Sequence, residues 1–299
     1  MKHVVHPKNH KLIIVAVATL ASFFGLQAIS KSLESYQLGH FLWISLVGYA
    51  FLVFWQSVVF DLHLRPTKTL RTWKKTVIHG IRSRFAYLSA DNHGVHYYNF
   101  LVLPGIIYWS AVVLLFLNPF ETGIKQVVIL ASSAALTIAY WYMKTVFYEH
   151  KNTHRNVRQI IFLTKLFASY ASFTAVFGLV RYFGAGAISF AMAVFALTYV
   201  LIHQAFYQHH YIRHNTVKLI LIGGLVTAEF AAMIFSIWNV NYFSGALAIS
   251  AVYNAIWGLM QHKFIENNLR RELIYEYFAV LFLILVLVFS TTNFSERIY

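Results

Sequence analysis

The histidines of this chain are the side chains whose type and spacing come closest to those of a metal centre. There are fifteen of them and no cysteine, so imidazole and carboxylate groups would have to supply the ligands. One HxxH pair and two HxxxH pairs have ligand-like spacing, and residues four apart share one face of a helix. The predicted metal ligands are His93, His96, His150, His154, His203, His210, His214 and His262.

The chemistry that such a site favours is that of iron or zinc, because imidazole suits both metals and few carboxylates accompany the histidines. We expect Fe(II) as the cofactor, with zinc as the alternative. Asp91, Glu149 and Glu266 lie beside the histidine groups, where a carboxylate can hold one ring nitrogen and fix the tautomer. Tyr207, one turn from His203, is predicted to orient that histidine or the substrate.

A plainer interpretation of the same histidines needs no metal. A histidine at a helix C-terminus interacts favourably with the helix dipole, by up to about 1 kcal/mol. Aromatic rings with a polar end also suit a membrane interface, where that end is wet. A membrane scaffold without catalytic chemistry, in which the histidines only occupy the interface, therefore remains an alternative hypothesis.

The composition indicates that helices in a membrane position these side chains. Hydrophobic residues make up 59% of the chain and charged residues only 11%, against about 25% charged in a soluble domain, and the mean hydropathy is +0.60. A soluble enzyme and a nucleic-acid-binding module are thereby excluded. We expect an all-α polytopic membrane helix bundle that forms a single integral membrane domain, residues 1–299. Nine apolar segments are each close to the roughly 20 residues that span a bilayer, at about 12–30, 41–60, 100–117, 125–147, 160–180, 187–208, 217–237, 245–261 and 274–291.

The distribution of lysine and arginine predicts which helix ends are cytoplasmic. With the N-terminus inside, the basic residues between the apolar segments fall on the inner side with four exceptions, Lys31, Lys125, Arg181 and Arg297. Nine spans with an N-in/C-out orientation satisfy this bias, and we expect the protein in the plasma membrane of a bacterium or archaeon. In that orientation the predicted ligands all lie on the cytoplasmic side.

The connection between the second and third spans, residues 61–98, is a basic segment that this orientation makes cytoplasmic. Within it, residues 66–88 place Trp73, Ile78 and Phe85 among basic residues at helical spacing, which predicts an amphipathic helix on the inner leaflet. The formal net charge of +14 accordingly indicates binding to anionic inner-leaflet lipids, with no nucleic acid as a partner. A solvated basic linker is the alternative.

Glu229 lies within the seventh span, where a charged side chain costs at least a few kcal/mol. It is therefore paired, protonated or functional, and it is a candidate catalytic or substrate-contacting residue. A second functional hypothesis follows from it, namely a proton-coupled transporter with Glu229 and His203 on the pathway. That hypothesis predicts that Glu229 faces an internal cavity.

One segment of the chain resembles a known family. The sequence FYQHHYIRHNTVKLI, at 206–220, is similar to the HSxRH stretch of the Brp/Blh family of membrane-embedded β-carotene 15,15'-dioxygenases, although Tyr211 stands where that family has serine. The resemblance implies a multi-helix membrane fold whose histidines hold an iron that cleaves carotene to retinal. On that match His210, Arg213 and His214 form the HxxRH element.

Two further segments carry weaker similarity to the same family. ALAISAVYNAIWGLMQHKFIE, at 246–266, is similar to the family's C-terminal apolar run that ends in Pro-His, with His262 as the matching histidine and Gln261 in place of the proline. HGVH, at 93–96, shares only its His-Gly with the family's PHGxxD element. Asn92 stands where that element has its proline, and no aspartate follows.

The leading hypothesis from the sequence is a multi-pass membrane oxygenase whose His-ligated iron oxidises a lipophilic substrate, such as a carotenoid or an acyl chain. The apolar bundle would admit the substrate from the bilayer. The expected partners are therefore a membrane lipid or a lipophilic small molecule. The transporter and the scaffold are the alternatives.

Overall fold

The computed structural model describes residues 7–33, 38–64, 75, 78, 94–117, 122–148, 155–208, 214–238 and 241–292. Within these ranges the chain forms nine long α-helices and no strand, which confirms the all-α prediction. In chain order they are α1 Pro7–Leu33, α2 Leu38–Leu64, α3 Gly94–Leu117, α4 Thr122–Tyr148, α5 Arg155–Tyr182, α6 Ala187–Gln208, α7 His214–Ile237, α8 Tyr242–Phe264 and α9 Arg271–Thr291.

The lengths of these helices fit a bilayer. The shortest, α9, has 21 residues and at 1.5 Å per residue is about 31 Å long, close to the thickness of the hydrocarbon core. Among the described residues, seven helices are long and apolar enough to cross a membrane, and α2 and α3 carry shorter apolar stretches, Phe41–Trp55 and Val102–Leu117. All nine apolar segments of the sequence lie on helices. The length and apolarity of these helices indicate an integral membrane protein. The N-in/C-out orientation stays a prediction.

The amphipathic helix predicted at 66–88 lies outside the described residues, except for Lys75 and Ile78. Both of these residues are helical and exposed. The prediction of a helix along the inner leaflet is therefore neither confirmed nor contradicted.

Contacts between helices divide the chain into two compact units, Met1–Thr164 and Lys165–Tyr299. In the first unit, α1 packs against α2, α3 and α4, and α3 also packs against α2 and α4. Tyr108 of α3 is buried, and its hydroxyl donates to the carbonyl oxygen of Ser45 in α2 at 2.9 Å. Because Gly48 of α2 has no side chain, the phenol lies directly against that helix.

Several hydroxyl groups inside the helices donate to the backbone of the same helix. Ser133 donates to the carbonyl of Ile129 at 2.7 Å, and Thr137 donates to the carbonyl of Ser133 at 2.9 Å. Thr227 donates in the same way to Gly223 at 2.8 Å. Since no water is present in a bilayer core, these bonds make the hydroxyls tolerable there, and such residues do not by themselves mark a site.

In the second unit, aromatic residues of three other helices pack around α5 from Lys165 onwards. Phe177 of α5 lies 4.6 Å from Phe190 of α6 and 5.4 Å from Phe235 of α7, measured between ring centroids. Phe173 of α5 lies 5.7 Å from Tyr253 of α8. In addition, α6 packs along α7, and α8 packs against α7 and α9. Aromatic rings from three helices thus close around α5.

The last described helix, α9, lies at the edge of the second unit. Val288 is its one buried residue over the described length of that helix. The ring of Phe289 contacts Trp238 at 4.9 Å, edge to face, and the ring of Tyr277 lies against Gly258 of α8. Beyond its first two turns, which carry Arg271, Glu272 and Glu276, most of its surface is apolar and exposed, as expected of a helix that faces lipid.

The turn between α7 and α8 is held by side chains from three parts of the chain. Arg181, near the end of α5, donates to the carbonyls of Phe235 at 2.7 Å and of Trp238 at 3.0 Å, which are terminal acceptors of α7. Trp238 Nε1 donates to Ser244 Oγ at 2.9 Å, and the side chain of Asn241 caps the first turn of α8. The arginine therefore caps one helix while the tryptophan ties it to the next.

Replacing Arg181 with alanine is expected to lower the free energy of unfolding by about 2 kcal/mol, because two charge-assisted hydrogen bonds to terminal carbonyls are lost. Denaturant unfolding of the detergent-purified protein, followed by tryptophan fluorescence, measures the change. Arg271→Ala is the matched control, because Arg271 is exposed at the start of α9, and it should change stability by less than about 0.5 kcal/mol. Equal losses in the two variants would contradict the capping role.

Candidate functional site

The structure describes the side chains of three of the predicted site residues, His203, His262 and Glu229. Of the other predicted site residues, the structure describes either the backbone only or no atoms. The backbone of α3, α6 and α7 includes three of them, whose side chains lie outside the described part of the chain: His96, Tyr207 and His214. Four more lie outside the described residues altogether: His93, His150, His154 and His210.

His262 lies in the last turn of α8 and is paired with a carboxylate. Its Nδ1 is 2.7 Å from Oε2 of Glu266, which follows four residues later, just beyond the helix. The other carboxylate oxygen, Oε1, accepts a hydrogen bond from Gln261 Nε2 at 3.1 Å. The sequence analysis placed Glu266 beside a histidine, and the two side chains are in contact, although His262 Nδ1 makes no hydrogen bond.

The end of α8 explains why the carboxylate returns to the ring. The backbone N–H groups of Ile265 and Glu266 both bond to the carbonyl of Gln261, which closes the last turn. Asn267 then adopts a positive φ of 48°, a conformation that asparagine tolerates, and it turns the chain towards α9. The tight turn keeps Glu266 beside the helix end.

The ring of Tyr277, in α9, also contacts the His262 ring. The Tyr277 ring lies 5.8 Å from the His262 ring, edge to face, and it occupies the space that a Cβ atom at position 258 would need. Gly258 therefore lets α9 approach α8 closely enough to bring the phenol to the histidine. Because Nδ1 lies against the Glu266 carboxylate, Nε2 is the ring nitrogen left for a metal or for a proton.

His203 lies in α6 at the same end of the second unit as the end of α8. Its ring stacks on Tyr199 at 5.5 Å, one turn earlier in the helix. One turn later, Phe206 contacts two rings of α8, Trp257 at 5.3 Å and Phe264 at 6.0 Å. Trp257 and Phe264 lie on the opposite side of α8 from His262, which faces Tyr277 of α9, so these contacts do not bring His203 and His262 together.

Among the residues that the structure describes, no three histidine or acidic side chains lie close enough together to hold a metal ion. Any site with three or more such ligands therefore includes residues from outside that part of the chain. The convergence of about four of the predicted histidines on one metal ion stays a prediction.

A buried polar cluster links α5 and α8. Ser169 Oγ lies 3.2 Å from Ser250 Oγ. Asn254 Nδ2 donates to the carbonyl of Ser250 at 2.7 Å and to its hydroxyl at 3.2 Å. One turn before Ser169, the Lys165 ammonium lies 5.4 Å from the centroid of Trp257. These bonds join two helices, as polar residues commonly do inside membranes.

Glu229 is exposed on the outward face of α7. The residues that share this face are apolar and exposed too: Ile222, Leu225, Val226 and Met233. A transporter that uses Glu229 requires it to face an internal cavity, and its exposed position does not provide one. This leaves His262 with Glu266 as the best-defined chemically active pair in the described part of the chain.

Comparison with protein families gives one match. A family model described as "Protein of unknown function (DUF5656)" matches residues 37–291, which include every predicted span except the first. No curated protein and no solved structure matches the chain.

Proposed function

The chain belongs to the DUF5656 family, and we propose that it is a membrane-embedded oxygenase whose histidines bind iron at one end of the helix bundle and act on a lipophilic substrate. The single observation that carries this proposal is the His262–Glu266 pair at the end of α8. Zinc is the alternative metal, because imidazole suits both ions.

The pair fits a metal-binding histidine for a chemical reason. Histidines that bind metals commonly donate their other ring N–H to a carboxylate, which fixes the ring and makes the metal-binding nitrogen more basic. In His262 the Nδ1 atom lies 2.7 Å from the Glu266 carboxylate, without a hydrogen bond between them, and Gln261 donates to that carboxylate. His262 would therefore bind the metal through Nε2, and Glu266 would position it.

The remaining ligands of the proposed site come from the predicted histidine groups. His203, in α6, is the other described candidate. Those outside the described side chains are His93, His96, His150, His154, His210 and His214. A bound iron would supply the activation of oxygen, while the surrounding apolar helices exclude water and admit an acyl chain or a carotenoid from the bilayer.

The proposed orientation, N-in/C-out, places this end of the bundle at the cytoplasmic leaflet of a bacterial or archaeal plasma membrane. The basic segment 61–98 would lie against the anionic lipids of that leaflet. The substrate would then enter from the hydrocarbon region and meet the metal near the inner headgroups.

Metal analysis of the purified protein tests the proposal. After anaerobic loading with Fe(II) and removal of excess metal, we expect close to one equivalent of iron per chain. The His262→Ala variant should retain at least about tenfold less iron. Glu266→Gln should weaken the affinity for iron about 10–100-fold, because the carboxylate only positions the histidine ligand. Less than about 0.3 equivalents of any transition metal in the unaltered protein would overturn the proposal.

The matched control is His40→Ala. His40 lies in the first turn of α2, and the predicted orientation places it on the opposite side of the membrane from the proposed ligands. Its removal should leave the metal content unchanged. If His40→Ala and His262→Ala lose metal equally, the metal is bound by exposed histidines in general and no specific site exists.

A further inference from the structure

One cation of the second unit lies inside a membrane span and has no counter-ion among the described residues. Lys165 of α5 directs its ammonium towards α8, where the nitrogen lies 5.4 Å from the centroid of the Trp257 ring. Trp257 is buried, with only 3% of its surface exposed. A lysine ammonium donates hydrogen bonds and accepts none, so contact with an aromatic ring leaves it without an acceptor.

The position of Trp257 along α8 gives the depth of this ammonium in the bilayer. The helix runs from Tyr242 to Phe264, so its midpoint is Tyr253. Trp257 comes four residues later, about 6 Å along the axis at 1.5 Å per residue. The hydrocarbon core extends about 15 Å to each side of its centre, so with α8 centred in the core the ammonium lies roughly 9 Å inside the boundary. Because the side chain is turned sideways onto α8, it does not extend along the helix to the headgroups.

No described side chain supplies an anion to Lys165. The side chains of four acidic residues are described, and none of them pairs with this lysine: Glu229, Glu266, Glu272 and Glu276. The polar cluster between α5 and α8 bonds within itself, because Ser169 donates to the carbonyl of Leu166 at 2.9 Å and Asn254 donates to Ser250. A cation at this depth is costly without a partner, so a ligand with a negatively charged oxygen would be stabilised there.

The ammonium is accessible to such a ligand. Lys165 is only partly buried, and its nitrogen is not one of the enclosed polar atoms that lack a partner in the described part of the chain. The next residue of α5, Leu166, is 39% exposed, as expected of a side chain that faces lipid. A charged group and an apolar surface therefore lie side by side on α5, an arrangement that fits an amphipathic molecule with one anionic end.

We propose that Lys165 binds the carboxylate of a free fatty acid whose acyl chain remains in the surrounding bilayer. The depth favours this ligand over a phospholipid, because a phosphodiester keeps its charge and stays at the interface, whereas a fatty acid enters hydrocarbon as the uncharged acid. The ion pair formed with Lys165 carries no net charge. A lipophilic molecule without an acidic group offers no acceptor of comparable strength to the ammonium.

The argument for this site does not depend on the metal proposed at the end of α8. Trp257 lies on the opposite side of α8 from His262, whose ring contacts Tyr277 of α9. Lys165 therefore approaches α8 from a different side, and fatty-acid binding can be measured on protein that contains no metal.

A titration with palmitic acid tests the proposal on the full-length, metal-free protein in phosphatidylcholine nanodiscs. The acid is isotopically labelled at the carboxyl carbon and followed by NMR. We expect saturable binding, with the signal of the ionised acid at a pH at which palmitic acid in empty nanodiscs is mostly protonated. Lys165→Gln should raise the concentration for half-saturation at least about tenfold, because the charged partner is lost. Lys165→Arg keeps the charge and should stay within about threefold of the unaltered protein.

Lys263→Gln is the matched control. Lys263 lies in the last turn of α8, it is exposed, and its ammonium is also 5.4 Å from the centroid of an aromatic ring, that of Phe264. Its removal should change the half-saturation by less than about twofold. Palmitic acid methyl ester has the same chain without a carboxylate and should not compete. Equal weakening by Lys165→Gln and Lys263→Gln, or competition by the ester, would overturn the proposal in favour of non-specific partitioning.

Two further measurements separate this site from its alternatives. Lys165→Gln should fold as the unaltered protein does, because it removes an unpaired charge from hydrocarbon, and far-ultraviolet circular dichroism of the same samples checks this. If phosphatidylglycerol displaces palmitic acid at equal concentration, the ligand is a phospholipid phosphate and the proposal is wrong. Iron binding should be the same in Lys165→Gln as in the unaltered protein, so a failure of fatty-acid binding and a failure of the proposed metal centre are distinguishable results.

Discussion

Replacing Trp238 with alanine is expected to lower the free energy of unfolding by about 3–5 kcal/mol, the usual cost of truncating a fully buried aromatic residue. Trp238 is only 1% exposed. Its ring contacts Phe289 of α9, and its indole N–H donates to Ser244 of α8. The substitution therefore removes contacts to two helices and leaves a cavity at the end of α7. Denaturant titration in detergent micelles, followed by far-ultraviolet circular dichroism, measures the loss.

The control for this prediction is the same change at an exposed tryptophan. Trp43 is 69% exposed, so Trp43→Ala should cost less than about 1 kcal/mol. Trp238→Phe should lie in between, because it keeps most of the packing and loses the bond to Ser244. If Trp238→Ala costs no more than Trp43→Ala, the turn between α7 and α8 does not depend on this residue.

Replacing Gly258 with alanine is expected to destabilise the protein by about 1–3 kcal/mol, because the added methyl group overlaps the ring of Tyr277. Either the ring or the whole of α9 must move away from α8. Since the same ring lies edge-on to His262, the substitution should also disturb the surroundings of that histidine. Denaturant unfolding measures the stability, and a double-mutant cycle with Tyr277→Ala identifies the cause.

In that cycle, Gly258→Ala should cost almost nothing once Tyr277 is already alanine, because the overlapping ring is gone. Gly186→Ala is the control, since an added Cβ at Gly186 meets no atom within 4 Å. A full-sized loss from Gly258→Ala in the Tyr277→Ala background would show that the glycine is needed for another reason than the approach of the phenol.

The fold was largely predictable from the sequence because length and apolarity of a segment are local properties. Every predicted span lies on a helix, yet the helices extend beyond the apolar runs. For example, the apolar run at 160–180 lies within the longer helix α5, Arg155–Tyr182. Hydropathy marks the part that crosses hydrocarbon, whereas the backbone hydrogen bonds continue into the interface. Helix ends are therefore set by bonding and turn residues that the apolar pattern does not record.

Only contacts between residues that are close in sequence could be predicted for the candidate site. The contact between His262 and Glu266 follows from a spacing of four residues at the end of a helix. The cluster of Ser169, Ser250 and Asn254 required knowledge of which helices are neighbours. In a bilayer, faces towards lipid and faces towards other helices are both apolar, so the periodicity that identifies a core in soluble proteins is weak. The outward position of Glu229 was unpredictable for the same reason.

The attachment of α9 has a consequence for the order of assembly. Its contacts with Trp238 and Gly258 come from Phe289 and Tyr277, and most of the surface between these two residues is exposed. Such a helix inserts into the membrane independently. It then packs against the preceding helices, which are synthesised before it. Because α8 is the helix that holds it laterally, it is also the element that can leave the bundle sideways while α5 to α8 remain assembled.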